Sequence, residues 1–134
     1  MRYLLDTNIC IYIAKRKPPH ALARLQQMRP GDVGMSVVTY FELIYGAWKS
    51  EATEANLAKI ERLRGLIPVQ PLGAEAARAY GQLRSQLEKK GAPIGAYDLL
   101  IATHALSLGL ILVTNNIREF SRVASLRMEN WAAP

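Results

Sequence analysis

The chain is poor in residues that build covalent or soft-metal frameworks: of its 134 residues one is cysteine, Cys10, and two are histidine, His20 and His104. A single thiol excludes an intramolecular disulfide framework and any multi-cysteine zinc site. Long hydrophobic runs are missing as well. The longest apolar stretch, Ile9 to Ala14, is far short of the roughly 20 residues that cross a bilayer. Asp6 interrupts the opening Met1-Arg2-Tyr3-Leu4-Leu5, which argues against the apolar region of a signal peptide. The expectation is a reduced, cytoplasmic protein with no membrane segment. Acidic charge is also scarce, with 11 Asp and Glu against 17 Lys and Arg and a net charge of +6.

What is present is core material. Half of the residues are hydrophobic, which suits one globular domain over residues 1–134 and argues against disorder. The basic excess suggests a polyanionic partner, and its distribution is uneven. Residues 1–30 carry Arg2, Lys15, Arg16, Lys17, Arg24 and Arg29 against Asp6, and residues 61–90 carry six basic groups against Glu61, Glu75 and Glu88. Lys15-Arg16-Lys17 reads either as a solvated turn before Pro18-Pro19 or as a rim that contacts phosphates.

Short β-type runs alternate with helical periodicity, the pattern of a parallel sheet with helices on both faces. Strands are expected over Tyr3–Leu5, Val33–Met35, Leu66–Val69 and Leu110–Val113, with an edge strand within Leu126–Trp131. Helices are expected over Ile9–Ala14, Ala21–Met28, Val38–Trp48, 53–64, 74–90 and Asp98–Ser107, with a short one ending at Phe120. Gly65 is read as the end of the fourth, 74–90 as the longest, and Ser36 or Thr39 as the cap of the third. The fold class is α/β, a three-layer α/β/α sandwich around a mainly parallel sheet.

Three acids keep apolar company. Asp6 follows Leu4-Leu5, Glu42 sits in Tyr40-Phe41-Glu42-Leu43-Ile44, and Asp98 sits in Ala96-Tyr97-Asp98-Leu99-Leu100. A buried carboxylate is costly and normally neutralises, pairs or binds a metal. Asp6 closes the first strand, at the sheet edge where open α/β folds place ligands, and Thr114, Asn115 and Asn116 close another strand at the same edge. Carboxylates gathered there repel one another, and a hard divalent cation relieves the repulsion. Oxygen donors select Mg²⁺ or Mn²⁺ over zinc, and such an ion activates water and polarises a phosphoryl oxygen. Each acid also has a purely structural reading: Asp6 and Asp98 as helix caps, Glu42 as the partner of an arginine.

Other chemistries fit less well. His104 lies six residues past Asp98 and off its helix face, so a two-histidine nuclease using His20 is disfavoured and His104 reads as a partly exposed helix residue. Cys10, in an apolar helix without a nearby base, reads as an inert thiol. Aspartyl phosphoryl transfer commonly needs a second acid two residues after the first, where this chain has Asn8, and no glycine-rich phosphate loop exists.

Four segments together resemble the signature segments of PIN-domain ribonucleases: Met1-Arg2-Tyr3-Leu4-Leu5-Asp6-Thr7-Asn8, Ser36-Val37-Val38-Thr39-Tyr40-Phe41-Glu42-Leu43, Tyr97-Asp98-Leu99-Leu100-Ile101-Ala102 and Leu112-Val113-Thr114-Asn115-Asn116. Within that group the whole chain is similar to the VapC toxins of type II toxin–antitoxin pairs. The resemblance implies a Mg²⁺- or Mn²⁺-dependent endoribonuclease that is usually a homodimer and is inhibited by a cognate VapB-like antitoxin. It implies cleavage of structured RNA, a tRNA or ribosomal RNA loop, leaving a 5′-phosphate. Carried over by position, Asp6, Asp98 and Glu42 are the metal-binding acids, with Thr7, Asn8, Ser36, Thr114, Asn115 and Asn116 as supporting polar groups. Lys15, Arg16 and Lys17 would then meet RNA phosphates. One departure stands out: many PIN domains have an aspartate where this chain has Asn116. Either Glu119 reaches the pocket from the short helix as a fourth catalytic acid, or Asn116 holds a metal-bound water and Glu119 is a surface acid beside Arg118. The missing aspartate also leaves open a catalytically silent PIN-like module that binds RNA or protein.

Overall fold

The computed structural model describes residues 1–134. In chain order the elements are β1 (Tyr3–Leu5), α1 (Thr7–Lys15), α2 (Pro19–Gln26), β2 (Val33–Ser36), α3 (Val37–Lys49), α4 (Thr53–Leu66), β3 (Val69–Gln70), α5 (Ala77–Lys89), α6 (Ala96–Leu108), β4 (Ile111–Val113), α7 (Ile117–Phe120) and β5 (Met128–Glu129), with a 3₁₀ turn at Ala74–Ala76 before α5. The five strands form one parallel sheet in the order β3-β2-β1-β4-β5. Its centre is apolar on both faces, as expected of parallel strands covered by helices on each side.

Alternation along β1 divides the core. Tyr3 and Leu5, with Met35 and Val113, pack under α1 to α4 through Ile9, Ile13, Ala21, Leu43, Ala47, Ile60 and Leu63. Leu4 and Leu112 turn to the opposite face and pack under Leu87 of α5, Ile101, Ala102 and Ala105 of α6 and Phe120 of α7. The result is the expected α/β/α sandwich. Gly109 ends α6 at φ 66°, a left-handed conformation that glycine adopts without a side-chain penalty.

Several boundaries differ from the sequence reading, each for a local reason. α4 runs through Gly65 to Leu66, because burial of Leu63 and Ile67 offsets the roughly 1 kcal/mol that a helical glycine costs. β3 therefore begins at Val69, although pairing starts one residue earlier, where the Pro68 carbonyl accepts from Met35 N–H at 2.9 Å. α2 starts at Pro19, since proline at the first helical position sacrifices no hydrogen bond. The segment 74–90 is not one long helix. With glycine at position 73 and no side chain to cap it, its first turn tightens into a 3₁₀ turn, and the 13-residue α5 is shorter than the 14-residue α4. Ser36, rather than Thr39, caps α3.

The tail is part of the core. β5 pairs with β4, and Trp131, fully buried, packs edge-on against Tyr3 with ring centroids 5.2 Å apart. Arg24 stacks over the indole and pairs with Glu129 at 3.0 Å, and the indole N–H donates to the same carboxylate. Trp131→Ala is expected to lower the unfolding free energy by about 3–5 kcal/mol, measured by urea denaturation.

Candidate active site

Strand register builds the floor of the site. Leu5 lies opposite both Met35 of β2 and Val113 of β4, so the residues that follow, Asp6, Ser36 and Thr114, fall in one row at the carboxyl edge of the sheet. All three are buried. The Asp6 backbone N–H donates to the Val113 carbonyl at 2.9 Å, and one carboxylate oxygen caps α1 by accepting from Ile9 N–H at 3.0 Å. The Thr114 hydroxyl bonds the same carboxylate and accepts from Asn116 N–H at 2.9 Å.

The other acids approach this row from three helices. α3 begins directly after Ser36 and presents Thr39 and Glu42 one turn apart on one face. The Thr7 hydroxyl donates to Glu42 Oε1 at 2.7 Å and lies 3.2 Å from the Thr39 hydroxyl, which ties the start of α1 to α3. Asp98 is in the first turn of α6 and is half-buried. Glu119 on α7 is held from two sides: Oε2 accepts from Asn116 Nδ2 at 2.6 Å and Oε1 from Gly95 N–H at 3.3 Å. That places its carboxylate at the entrance to α6, against Asp98 rather than beside Arg118.

The electrostatics follow from burial and crowding. Burial pushes the Asp6 carboxyl up to about 6 and the charge of Glu42 adds to it, against hydrogen bonds from Thr114 and Ile9. Asp98 is also pushed up to about 6, first by burial and then by the charges of Glu119, Asp6 and Glu42, with a hydrogen bond to Glu119 favouring its protonated form. No three of these acids stand close enough to ligate one ion by themselves. The donors are nonetheless all oxygen, and the mutual repulsion at Asp98 is what a cation relieves. That suits Mg²⁺, which binds through one or two carboxylates and keeps several waters.

Not every expected group joins the cluster. Asn8 is exposed, and Asn115 is exposed and donates to the Tyr12 hydroxyl at 3.0 Å. Asn116 acts through Glu119. Of the basic triplet, Lys15 lines the groove between α1, α3 and α4 that also contains Glu42 and Lys59, whereas Arg16 lines separate hollows and Lys17 is simply exposed. Thr39, expected only as an alternative cap of α3, stands beside Thr7 in the site, and His104, expected to be partly exposed, is buried. His104 is 1% exposed, with Nδ1 2.8 Å from Ser36 Oγ, because six residues along a helix return the side chain to the core even as they turn it away from Asp98.

This arrangement has counterparts. The sequence model of the PIN domain matches residues 3–126. The chain belongs to the PIN-domain family. Among its relatives, the tRNA(fMet)-specific endonuclease VapC of Shigella flexneri is 48% identical over 132 residues, covering 98% of this chain and 99% of that one. Ribonuclease VapC2 of Haemophilus influenzae is 46% identical over 131 residues, covering 98% of each. Among solved structures, DNA-bound VapBC from Salmonella typhimurium superposes with a TM-score of 0.91 at 44% identity, covering 98% of each chain. Family and fold thus agree with the expected PIN-domain and VapC kinship.

In this PIN domain the acid row costs stability. Because the carboxyl of Asp6 is raised in the folded state, its contribution to folding is whole below pH 4 and is lost as pH rises through 6. In EDTA at pH 7.5, Asp6→Asn, which keeps the capping oxygen, is expected to stabilise the fold by about 2–3 kcal/mol and at pH 4 to change it little. Urea unfolding at the two pH values checks this.

Proposed function

We propose that this PIN-domain protein is a divalent-metal-dependent endoribonuclease, the toxin of a VapC–VapB-type pair. The observation that carries the reading is the gathering of four acids at the sheet edge, where burial pushes the carboxyls of Asp6 and Asp98 up to about 6, the charge of Glu42 adds to Asp6, and those of Glu119, Asp6 and Glu42 add to Asp98. Asp6 and Asp98 would hold Mg²⁺ or Mn²⁺ together with water, and Glu42 would reach the ion through one of those waters. When bound, the ion supplies a water of lowered pKa and a Lewis acid for a phosphoryl oxygen. The chain itself does the positioning. Thr7 fixes Oε1 of Glu42 and leaves Oε2 free to orient the attacking water or accept its proton. Asn116 and Gly95 hold the Glu119 carboxylate near Asp98, which supports Glu119 as the fourth acid in place of the aspartate that many PIN domains have at position 116.

The substrate is structured RNA, a tRNA or ribosomal RNA loop. The basic surplus of the chain and the tRNA-specific name of the Shigella relative support this. Lys15 and Lys59 flank the groove leading to Glu42 and are suited to phosphate contacts. The similar Salmonella structure is of VapBC, which supports a VapB-like antitoxin as partner. Cleavage of tRNA or ribosomal RNA is expected with Mg²⁺ or Mn²⁺ and is lost in EDTA. Asp6→Asn and Asp98→Asn abolish it, and Glu119→Gln lowers it by about 10- to 100-fold. Metal-independent cleavage, or full activity in either aspartate variant, overturns the metal assignment.

A homodimer is the other expectation, and one surface supports it. α3 projects Phe41, Tyr45 and Trp48, each about two-thirds exposed, and Tyr97 of α6 shares a groove with the first two. An aromatic patch of this kind is typical of an interface centre. Light scattering on a sizing column is expected to show a dimer for the native chain and a monomer for Phe41→Glu; unchanged mass in the variant removes this face from the interface.

A further inference from the structure

We infer that His104 is a positioning residue for the acid pocket: by bonding Ser36 it holds α6, which carries Asp98, in register with α3, which carries Glu42. The inference rests on the reading of these acids as partners in one metal pocket.

His104 and Ser36 come from distant parts of the chain, and both are buried. Their bond, 2.8 Å between Nδ1 and Oγ, is the one side-chain hydrogen bond that joins α6 to the β2–α3 unit. Ser36 is well placed to transmit it. It is the last residue of β2, it stands in the row beside Asp6, and its hydroxyl oxygen accepts from Val38 N–H at 3.1 Å to start α3. A hydroxyl that accepts from Val38 has its own proton to give, and Nδ1 is the acceptor that takes it. This assigns the proton of the neutral ring to Nε2. That atom has no hydrogen-bond partner; burial disfavours the charged ring, against the Pro71 carbonyl and the Glu75 carboxylate, which favour it.

The other links around the pocket follow the same plan. Thr7 joins α1 to Glu42 on α3, and Glu119, oriented by Asn116, joins α7 to the loop entering α6 by accepting from Gly95 N–H. Without His104, α6 meets α3 through nonpolar packing and no directional bond, and the separation of Asp98 from Glu42 is free to drift. Displacement of a reacting group by an ångström is enough to matter to catalysis. His104 touches neither metal nor RNA in this scheme; it acts through the placement of Asp98.

The side-chain geometry supplies a test. Asparagine puts Oδ1 at the branch position of Nδ1 and keeps an acceptor for Ser36, whereas glutamine moves its amide outward to the position of Nε2 and loses that acceptor. His104→Gln and Ser36→Ala are each expected to weaken Mn²⁺ binding by calorimetric titration, and to lower kcat, by about 10-fold or more with KM for RNA unchanged. His104→Asn is expected to restore both, even though the smaller side chain leaves it with the lower urea midpoint. The double variant Ser36→Ala/His104→Gln is expected to be no worse than either single change. If His104→Gln does not fold, Ser36→Ala against His104→Asn carries the comparison. The inference is overturned if asparagine fails as badly as glutamine, if the variants bind Mn²⁺ and turn over like the native chain, or if the two changes add. A native chain that neither binds Mn²⁺ nor cleaves RNA overturns the parent reading and this one with it. A native chain that does both, alongside a His104→Gln variant that does both equally well, overturns this inference alone.

Discussion

The site depends on the register of one short strand. β1 is three residues long and pairs in parallel with β2 on one side and β4 on the other, with Leu5 opposite Met35 and Val113. A slip of one residue would turn Tyr3 and Leu5 to the face now filled by Leu4 and would break the row of Asp6, Ser36 and Thr114. The two apolar layers therefore enforce the polar edge: the side-chain alternation that fills both cores also aligns the three groups that end the central strands.

Burying acids at that edge opposes folding, and the molecule limits the cost by hydrogen bonding. Asp6 spends part of its charge on capping α1 and bonding Thr114, Glu42 leans on Thr7, and Glu119 is met by an amide and a backbone N–H. What these bonds leave unsatisfied is concentrated at Asp98, which has three other acids for neighbours. A pocket of this kind is more stable empty of charge than full of it, and a cation reverses the preference. Stability and activity are set against each other in the same few atoms.

The architecture was largely legible in the sequence, because the signals were strong where the core is: apolar triplets bounded by turn residues, and helices with clear apolar faces. Asp6, Glu42 and Asp98 stood out since carboxylates rarely sit among leucines and phenylalanines. Less legible was anything decided by tertiary context. Gly65 looked like a helix stop, but burial of Leu63 and Ile67 carries the helix past it. Glu119 fits two places by sequence alone, and the Asn116 amide holds it in one of them. His104 and Thr39 carried no local mark, because a polar residue in a helix shows its burial only when the partner is known, and Ser36 and Thr7 lie far away in sequence.

The order in which the elements are made has its own consequence. Asp6 and Glu42 belong to the first third of the chain, whereas Asp98, Thr114 and Glu119 come late and β4 must insert beside β1 to complete the row. No nascent fragment ending before β4 contains the assembled pocket, and Trp131 settles against Tyr3 only after β5 has been made. Translation thus proceeds with the pocket unbuilt until β4 and α7 have been made, and products truncated before β4 lack it.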